Sequence, residues 1–201
     1  MSRHLGPVWK KSRALNFSLL GTKKEFRKRS SLPGQHGNKK HRFSLYYLQN
    51  REKQKFLHLF MMRQKPLHNL FLKLKNKKGN IEDNLLANLN SSLANIVFLS
   101  GLVNTRRFAR QLVSHGHFLV DGKKVKSPSF RVKVGSIISP RDVKRLQENK
   151  IISEILKKTK PTSPYINFDK EKLAITYQKP FAGKEENIDI SSIVEWYNRI
   201  T

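Results

Sequence analysis

The sequence predicts an α+β protein, mostly helical, with one short β-hairpin. Three observations predict it. Apolar residues recur at helical spacing through residues 44–101, the period shortens around Asp121-Gly122, and two brief strand-like runs follow between residues 166 and 177. The chain has 201 residues, enough for one large domain or two small ones. Its 41 basic and 14 acidic residues give a formal net charge of +27. Self-repulsion at that charge favours association with nucleic acid or an anionic membrane surface. No apolar run approaches the roughly 20 residues that span a bilayer, so no membrane-spanning role is expected. The absence of cysteine excludes disulfides and cysteine-ligated zinc or iron–sulfur sites.

Residues Ser2 to Arg29 are basic and interrupted by Gly6-Pro7 and Gly21, which predicts an extended arm ordered by its partner. The first residues, M-S-R-H-L-G-P-V-W-K-K-S-R, have no apolar signal core. The turn-rich loop Leu32 to Lys40 follows, its glycines able to bring backbone N–H groups up to an anion. Ser44 caps a predicted helix to about Gln64, with Leu48, Phe56, Leu59 and Phe60 on the buried side. A second helix, Pro66 to Lys78, has Leu67, Leu70, Phe71 and Leu74 on one face and ends at Gly79. A third runs from about Asn80 to Gly101 as one apolar stripe through Leu85, Leu86, Leu89, Leu93, Ile96 and Val97.

The stretch Gly101 to Pro140 carries the most chemistry. Thr105 can cap a helix that Gly116 ends in a left-handed turn. At 100° per residue, Phe108, Ala109, Leu112 and Val113 share one side, and Arg106, Arg107, Arg110, Gln111 and Ser114 the other. His117–Val120 and Lys123–Val125 then flank Asp121-Gly122, a pair suited to a two-residue hairpin turn. Three outward arginines therefore lead into a hairpin with Lys123, Lys124 and Lys126, and Asp121 is the one acid between Asp83 and Asp142. Guanidinium forks and mobile ammonium groups suit phosphate oxygens. A merely solvated basic face is the competing reading, and such faces ordinarily mix signs.

Beyond the module, Ser139-Pro140 opens a predicted helix to about Lys158 with Val143, Leu146, Ile151, Ile152, Ile155 and Leu156 packed. Pro161 and Pro164 mark a break, Ile166–Phe168 and Leu173–Tyr177 read as strands, and Ile188 to Ile200 fits helix or strand equally.

The run T-R-R-x-A-R-Q-L-V-x-H-G-H-x-L-V-D-G resembles the helix-and-hairpin RNA-binding module named after small-subunit ribosomal protein four. Four separated blocks are similar, in order, to the bacterial-type family of that protein. They are L-G-P with S-R (Leu5 to Arg13), P-G-Q-H-G (Pro33 to Gly37), R-E-K-Q-K (Arg51 to Lys55) and the module itself (Thr105 to Gly122). The terminal V-E-W-Y, Val194 to Tyr197, is also similar. The resemblance implies a mostly helical, discontinuous domain with the RNA-binding domain inserted in it. Residues 1–90 would form the arm and helical domain, 91–140 the RNA-binding domain, and 141–201 a helix and short strands packing back on the helical domain.

It further implies a structural constituent of the small ribosomal subunit. Such a protein is a primary binder of small-subunit rRNA that organises a multi-helix junction of the 5′ domain during assembly. It neighbours ribosomal proteins five and three, lines the channel through which mRNA enters, and contributes to translational accuracy. Carried across by position, Arg106, Arg107, Arg110, Gln111, His115, Lys123 and Lys124 would face rRNA. So would Arg3, Lys10, Lys11, Ser12, Arg13, Gln35, His36, Arg42, Tyr46, Arg51, Lys53, Gln54 and Lys55. Lys39, Lys40 and Arg42 match positions at the mRNA channel. Many relatives hold zinc on amino-terminal cysteines; this chain has none, so no metal and no cofactor is expected. Ser92-Leu93-Ala94 and Phe181 to Glu185 depart from the family pattern and leave the contacts there open. The setting implied is the ribosome of a bacterial cytoplasm or of an organelle, in line with lysine outnumbering arginine roughly two to one.

Tyr46, Tyr47 and Trp9 fit base stacking or packing equally, and His36 fits an RNA contact or a loop hydrogen bond. An enzyme would need a separate catalytic domain. The five aspartates sit in no catalytic-loop motif, and neither a G-x-G-x-x-G nor a phosphate-binding loop is present. No enzyme activity is expected; a free RNA-binding regulator is the alternative from another class.

Overall fold

The computed structural model describes residues 6–27, 29–39, 42–158, 163–182 and 188–199. In chain order the elements are α1 (Val8–Leu15), a 3-10 turn (Lys24–Phe26), α2 (Leu45–Leu59), α3 (Gln64–Lys75), α4 (Ile81–Asn90), α5 (Leu93–Leu99) and α6 (Arg106–Ser114). Then come β1 (Phe118–Val120), β2 (Lys123–Lys124), β3 (Ile137–Pro140), α7 (Val143–Gln147), α8 (Lys150–Lys158), β4 (Ile166–Asp169), β5 (Ala174–Tyr177) and α9 (Ile190–Asn198). The chain divides into one unit of Met1–Leu85 with Glu185–Thr201, and a second of Leu86–Lys184.

The first unit is helical. Ser44 accepts a hydrogen bond from Tyr47 N–H at 3.2 Å, capping α2 as its sequence predicts. The helix stops at Leu59, short of Gln64, because Met61 turns to φ 53°. α2 packs against α9, and the core between helices holds Phe56, Leu67, Phe71, Ile193, Trp196 and Tyr197. The rings of Phe71 and Tyr197 stack with centroids 5.0 Å apart. α9 settles the ambiguous tail as helix, with Asp189 accepting from Ser192 N–H at 3.3 Å. Leu48, expected on the buried side of α2, is instead exposed.

The amino-terminal segment is not the extended arm expected from its composition. Residues 8–15 form α1, which ends at Asn16 in the left-handed region (φ 47°). The Arg51 guanidinium donates to Leu15 C=O from Nε (3.1 Å) and Nη2 (2.8 Å), satisfying the carbonyl end of this short helix. Ser12 is buried and accepts from Leu19 N–H at 3.4 Å.

The second unit carries a five-stranded antiparallel sheet in the order β2-β1-β3-β5-β4. Leu93, Ile96, Val97, Val113, Phe118, Ile138 and Ile175 belong to its buried core. The single long helix expected over residues 80–101 is divided into α4 and α5. Two N–H groups that would continue it, those of Leu93 and Ala94, donate instead to Phe130 C=O (2.9 Å) and Pro128 C=O (3.1 Å). The Ser92 hydroxyl and Asn95 side-chain amide each donate to Leu89 C=O at 2.8 Å, closing the end of α4.

Three further expectations are corrected. Ser139-Pro140 does not start a helix; it lies in β3, paired with β1, and the helix begins at Val143 behind the Asp142 cap. Ile151, expected to pack, is exposed on α8. The strands β4 and β5, expected with the helical domain, belong to the second unit, where β5 pairs with β3 and so extends the hairpin's own sheet. The break at Pro161 and the departure at Gly183 to Glu185 lie outside the described residues.

Candidate nucleic-acid interface

In the second unit, the predicted helix and hairpin form as their sequence requires. Thr105 Oγ1 accepts from Phe108 N–H at 3.2 Å, and Ala109, Leu112 and Val113 are buried. Gly116 has φ 75°, and Asp121 and Gly122 have φ 48° and 79°, both central residues of a tight hairpin turn being left-handed. Asp121 also accepts from Ile137 N–H at 2.9 Å, and this bond with one from Ser136 holds its carboxyl below the ordinary value. The lone acid of the module thus fixes the hairpin to β3.

The arginines of α6 are less free than a solvated outer face suggests. The Arg106 guanidinium lies over the Phe98 ring, 4.6 Å from its centroid, and Arg106, Arg107 and Arg110 are half-buried. Burial lowers the Arg110 guanidinium from its ordinary value, though it remains charged. Gln111, His115, Lys123 and Lys124 are exposed. Along α6 and the hairpin this unit therefore carries half-buried arginines and an exposed amide, imidazole and ammonium groups, donors that suit phosphate and 2′-hydroxyl oxygens.

In the first unit, Lys10, Gln35, His36, Lys39, Arg42 and Tyr46 are exposed, and Lys11 and Arg13 are half-buried on α1. Gly37 N–H donates to Gly34 C=O at 3.3 Å, closing the loop that presents Gln35 and His36. Tyr47 stacks on Phe43 with centroids 4.6 Å apart, and Trp9 is 52% exposed. Arg3 and Lys40 lie outside the described residues.

Other residues proposed from the R-E-K-Q-K block are occupied inside the unit. Arg51 caps α1 and Lys55 pairs with Glu52 at 2.5 Å; Ser12, from the amino-terminal block, is likewise buried. Lys53 is 2% exposed, with Nζ 3.1 Å from the centroid of the Trp196 ring. Burial pushes its ammonium down to about 8. Gln54 is half-buried beside them. Arg51 ties α2 to α1 and Lys53 ties it to α9, so these two side chains serve the packing of the helical unit.

The structure also brings up basic residues that sequence reasoning did not place at the site. Arg141 N–H donates to His117 C=O at 2.8 Å, which sets the start of α7, with Arg145, beside the hairpin. The signal for them was the β1–β3 pairing, which the proline at position 140 obscured.

Comparison with known proteins agrees with both halves. The S4 domain family matches residues 92–138, and the family described as Ribosomal protein S4/S9 N-terminal domain matches residues 3–90. A small ribosomal subunit protein uS4 of Ligilactobacillus salivarius is 43% identical, covering 99% of this chain and 100% of its own length. Its counterpart from Lysinibacillus sphaericus is also 43% identical with the same coverage. That of Streptococcus equi subsp. zooepidemicus is 42% identical over the full length of both. Two domain matches in this order, with similarity running from end to end, place the chain in the uS4 family of small ribosomal subunit proteins, a non-enzyme family.

Proposed function

We propose that this protein is a structural constituent of the small ribosomal subunit and a primary binder of its rRNA. In this reading it organises a multi-helix junction of the 5′ domain during assembly, beside ribosomal proteins five and three. Lys39, Lys40 and Arg42 face the channel through which mRNA enters, and the subunit's accuracy depends in part on that contact. The observation that carries the reading is the exposure of Gln111, His115, Lys123 and Lys124 on the same helix-and-hairpin module as the α6 arginines, on a chain of net charge +27.

The mechanism is charge neutralisation on a pre-shaped surface. Each phosphate contact releases condensed counterion, so affinity falls with salt by a log–log slope of roughly 0.7–0.9 per contact. Arginines held by packing suit phosphates whose positions a folded junction fixes, and lysines on a hairpin reach across gaps between RNA helices. Arg106→Ala with Arg110→Ala is expected to weaken binding to a 5′-domain rRNA fragment at least about tenfold at moderate salt. Circular dichroism of the variant separates loss of contacts from loss of fold. Unchanged affinity in a folded variant would remove α6 from the interface. In cell extracts the protein should sediment with small subunits through a high-salt wash; a free RNA-binding regulator would spread through the light fractions.

A further inference from the structure

Six basic side chains of the second unit converge around Gly116. The His115 and His117 rings are 6.2 Å apart, on either side of that glycine. A Cβ at Gly116 would lie 2.7 Å from Lys124 Cε and 3.4 Å from Lys126 Cγ, so the missing side chain leaves Lys124 room to fold over the turn, with Lys126 alongside. Arg141 is tied to the same place by its N–H bond to His117 C=O and acts on Lys124, and Arg145, in the first turn of α7, acts on His117.

The charges act on one another. Arg141, then Lys126, lowers the Lys124 ammonium. Burial, then the positive field of Arg145 and His115, lowers the His117 imidazole. The acids closest along the chain are engaged with backbone: Asp121 accepts from Ile137 N–H and Asp142 from Arg145 N–H. Like charges held this close by a glycine turn, a hairpin and a strand pairing raise the energy of the free protein. An anion placed among them relieves it.

We propose that His115, His117, Lys124, Lys126, Arg141 and Arg145 form a seat for an RNA backbone phosphate, and that filling the seat delivers a proton to His117. The inference rests on the RNA-binding reading above and adds to it a defined subsite and a linked proton. The sign follows from the geometry. In the free protein the cations around His117 disfavour a further positive charge; with a phosphate among them, the imidazolium becomes favourable. The complex then binds more protons than the free partners, so affinity rises as pH falls.

The test measures binding of the full chain to its own 5′-domain rRNA fragment from about pH 8 to about pH 5.5 at fixed ionic strength. Wild type is compared with His117→Gln and with Arg141→Gln/Arg145→Gln. Wild type is expected to gain about three- to tenfold in affinity relative to His117→Gln between about pH 8 and about pH 6, the RNA's own titration being common to both. The arginine double variant is expected to bind more weakly at every pH and to lose most of that gain. NMR should show the His117 imidazole titrating at higher pH when the fragment is bound. Parallel pH profiles for wild type and His117→Gln, both tight and fragment-specific, would overturn the seat and leave the proposed function standing. Failure of wild type to prefer the fragment over tRNA would overturn both. Titration with inorganic phosphate distinguishes the source of the anion: a His117 response saturating below about 1 mM would overturn the assignment to polymer backbone.

Discussion

Lys53 illustrates how a single residue can be held by the helical unit against its ordinary chemistry. Its ammonium is buried between α2 and α9 over the Trp196 ring, at 3.1 Å from the centroid, and is lowered to about 8. The unfolded chain therefore holds that proton more tightly, and between about pH 8 and the ordinary lysine value it binds more protons than the native state. Stability from this group rises with pH across that window. Tyr197, raised to about 12 by burial, acts oppositely above its ordinary value near 10. Thermal melts are expected to rise from about pH 8 to about pH 10 and then fall. Lys53→Met should flatten the rising limb, and an unchanged limb would contradict the burial of its charge. Arg51 makes a second residue-scale prediction. Arg51→Ala uncaps the Leu15 carbonyl and should destabilise α1 by about 1–2 kcal/mol, read as loss of amide protection confined to residues 8–15. Neither role was legible in the sequence, where R-E-K-Q-K reads as a row of cations available to a partner. Burial, not composition, decides which cations are free.

At the scale of elements, local signals were legible and long-range pairings were not. The Thr105 cap, the α6 apolar face and the Asp121-Gly122 turn follow from neighbouring residues, and the structure has all of them. The break between α4 and α5 depends on carbonyls at Pro128 and Phe130, more than thirty residues away, and no local rule could supply it. The pairing of β3 with both β1 and β5 likewise lies beyond any hairpin signal, and with it went the placement of Arg141 and Arg145. Gly116 is where turn and charge cluster meet. Gly116→Ala must adopt φ 75° and displace Lys124, whose Cε would be 2.7 Å from the new methyl. A loss of about 1–2 kcal/mol in unfolding free energy is expected. The variant should also bind rRNA more weakly at low salt. Wild-type stability and affinity together would show that the turn does not position the hairpin lysines.

For the whole molecule, the decisive facts are two units of different construction and one net charge of +27. The family and the α+β class were legible because the matching blocks are distributed along the chain. The division of the chain was less so. Residues 141–182 lie in the second unit and only the final segment lies in the first, since β5 completes the sheet that β3 begins while α9 packs on α2. A protein so charged binds any polyanion at low salt, so affinity alone says little about its place in the ribosome. Lys123→Gln with Lys124→Gln should reduce the salt slope of rRNA binding by roughly 1–2, the size expected for two lost phosphate contacts. A slope equal to wild type would put the hairpin outside the interface.

The most direct measurement is equilibrium binding of the purified protein to its own 5′-domain rRNA fragment across a salt series, with tRNA as competitor. Binding that resists tRNA, falls steeply with salt and rearranges the chemical probing pattern of the junction is the expected result. Equal affinity for both RNAs, with the junction's probing pattern unchanged, would contradict a primary role in assembly and leave a generic basic RNA binder.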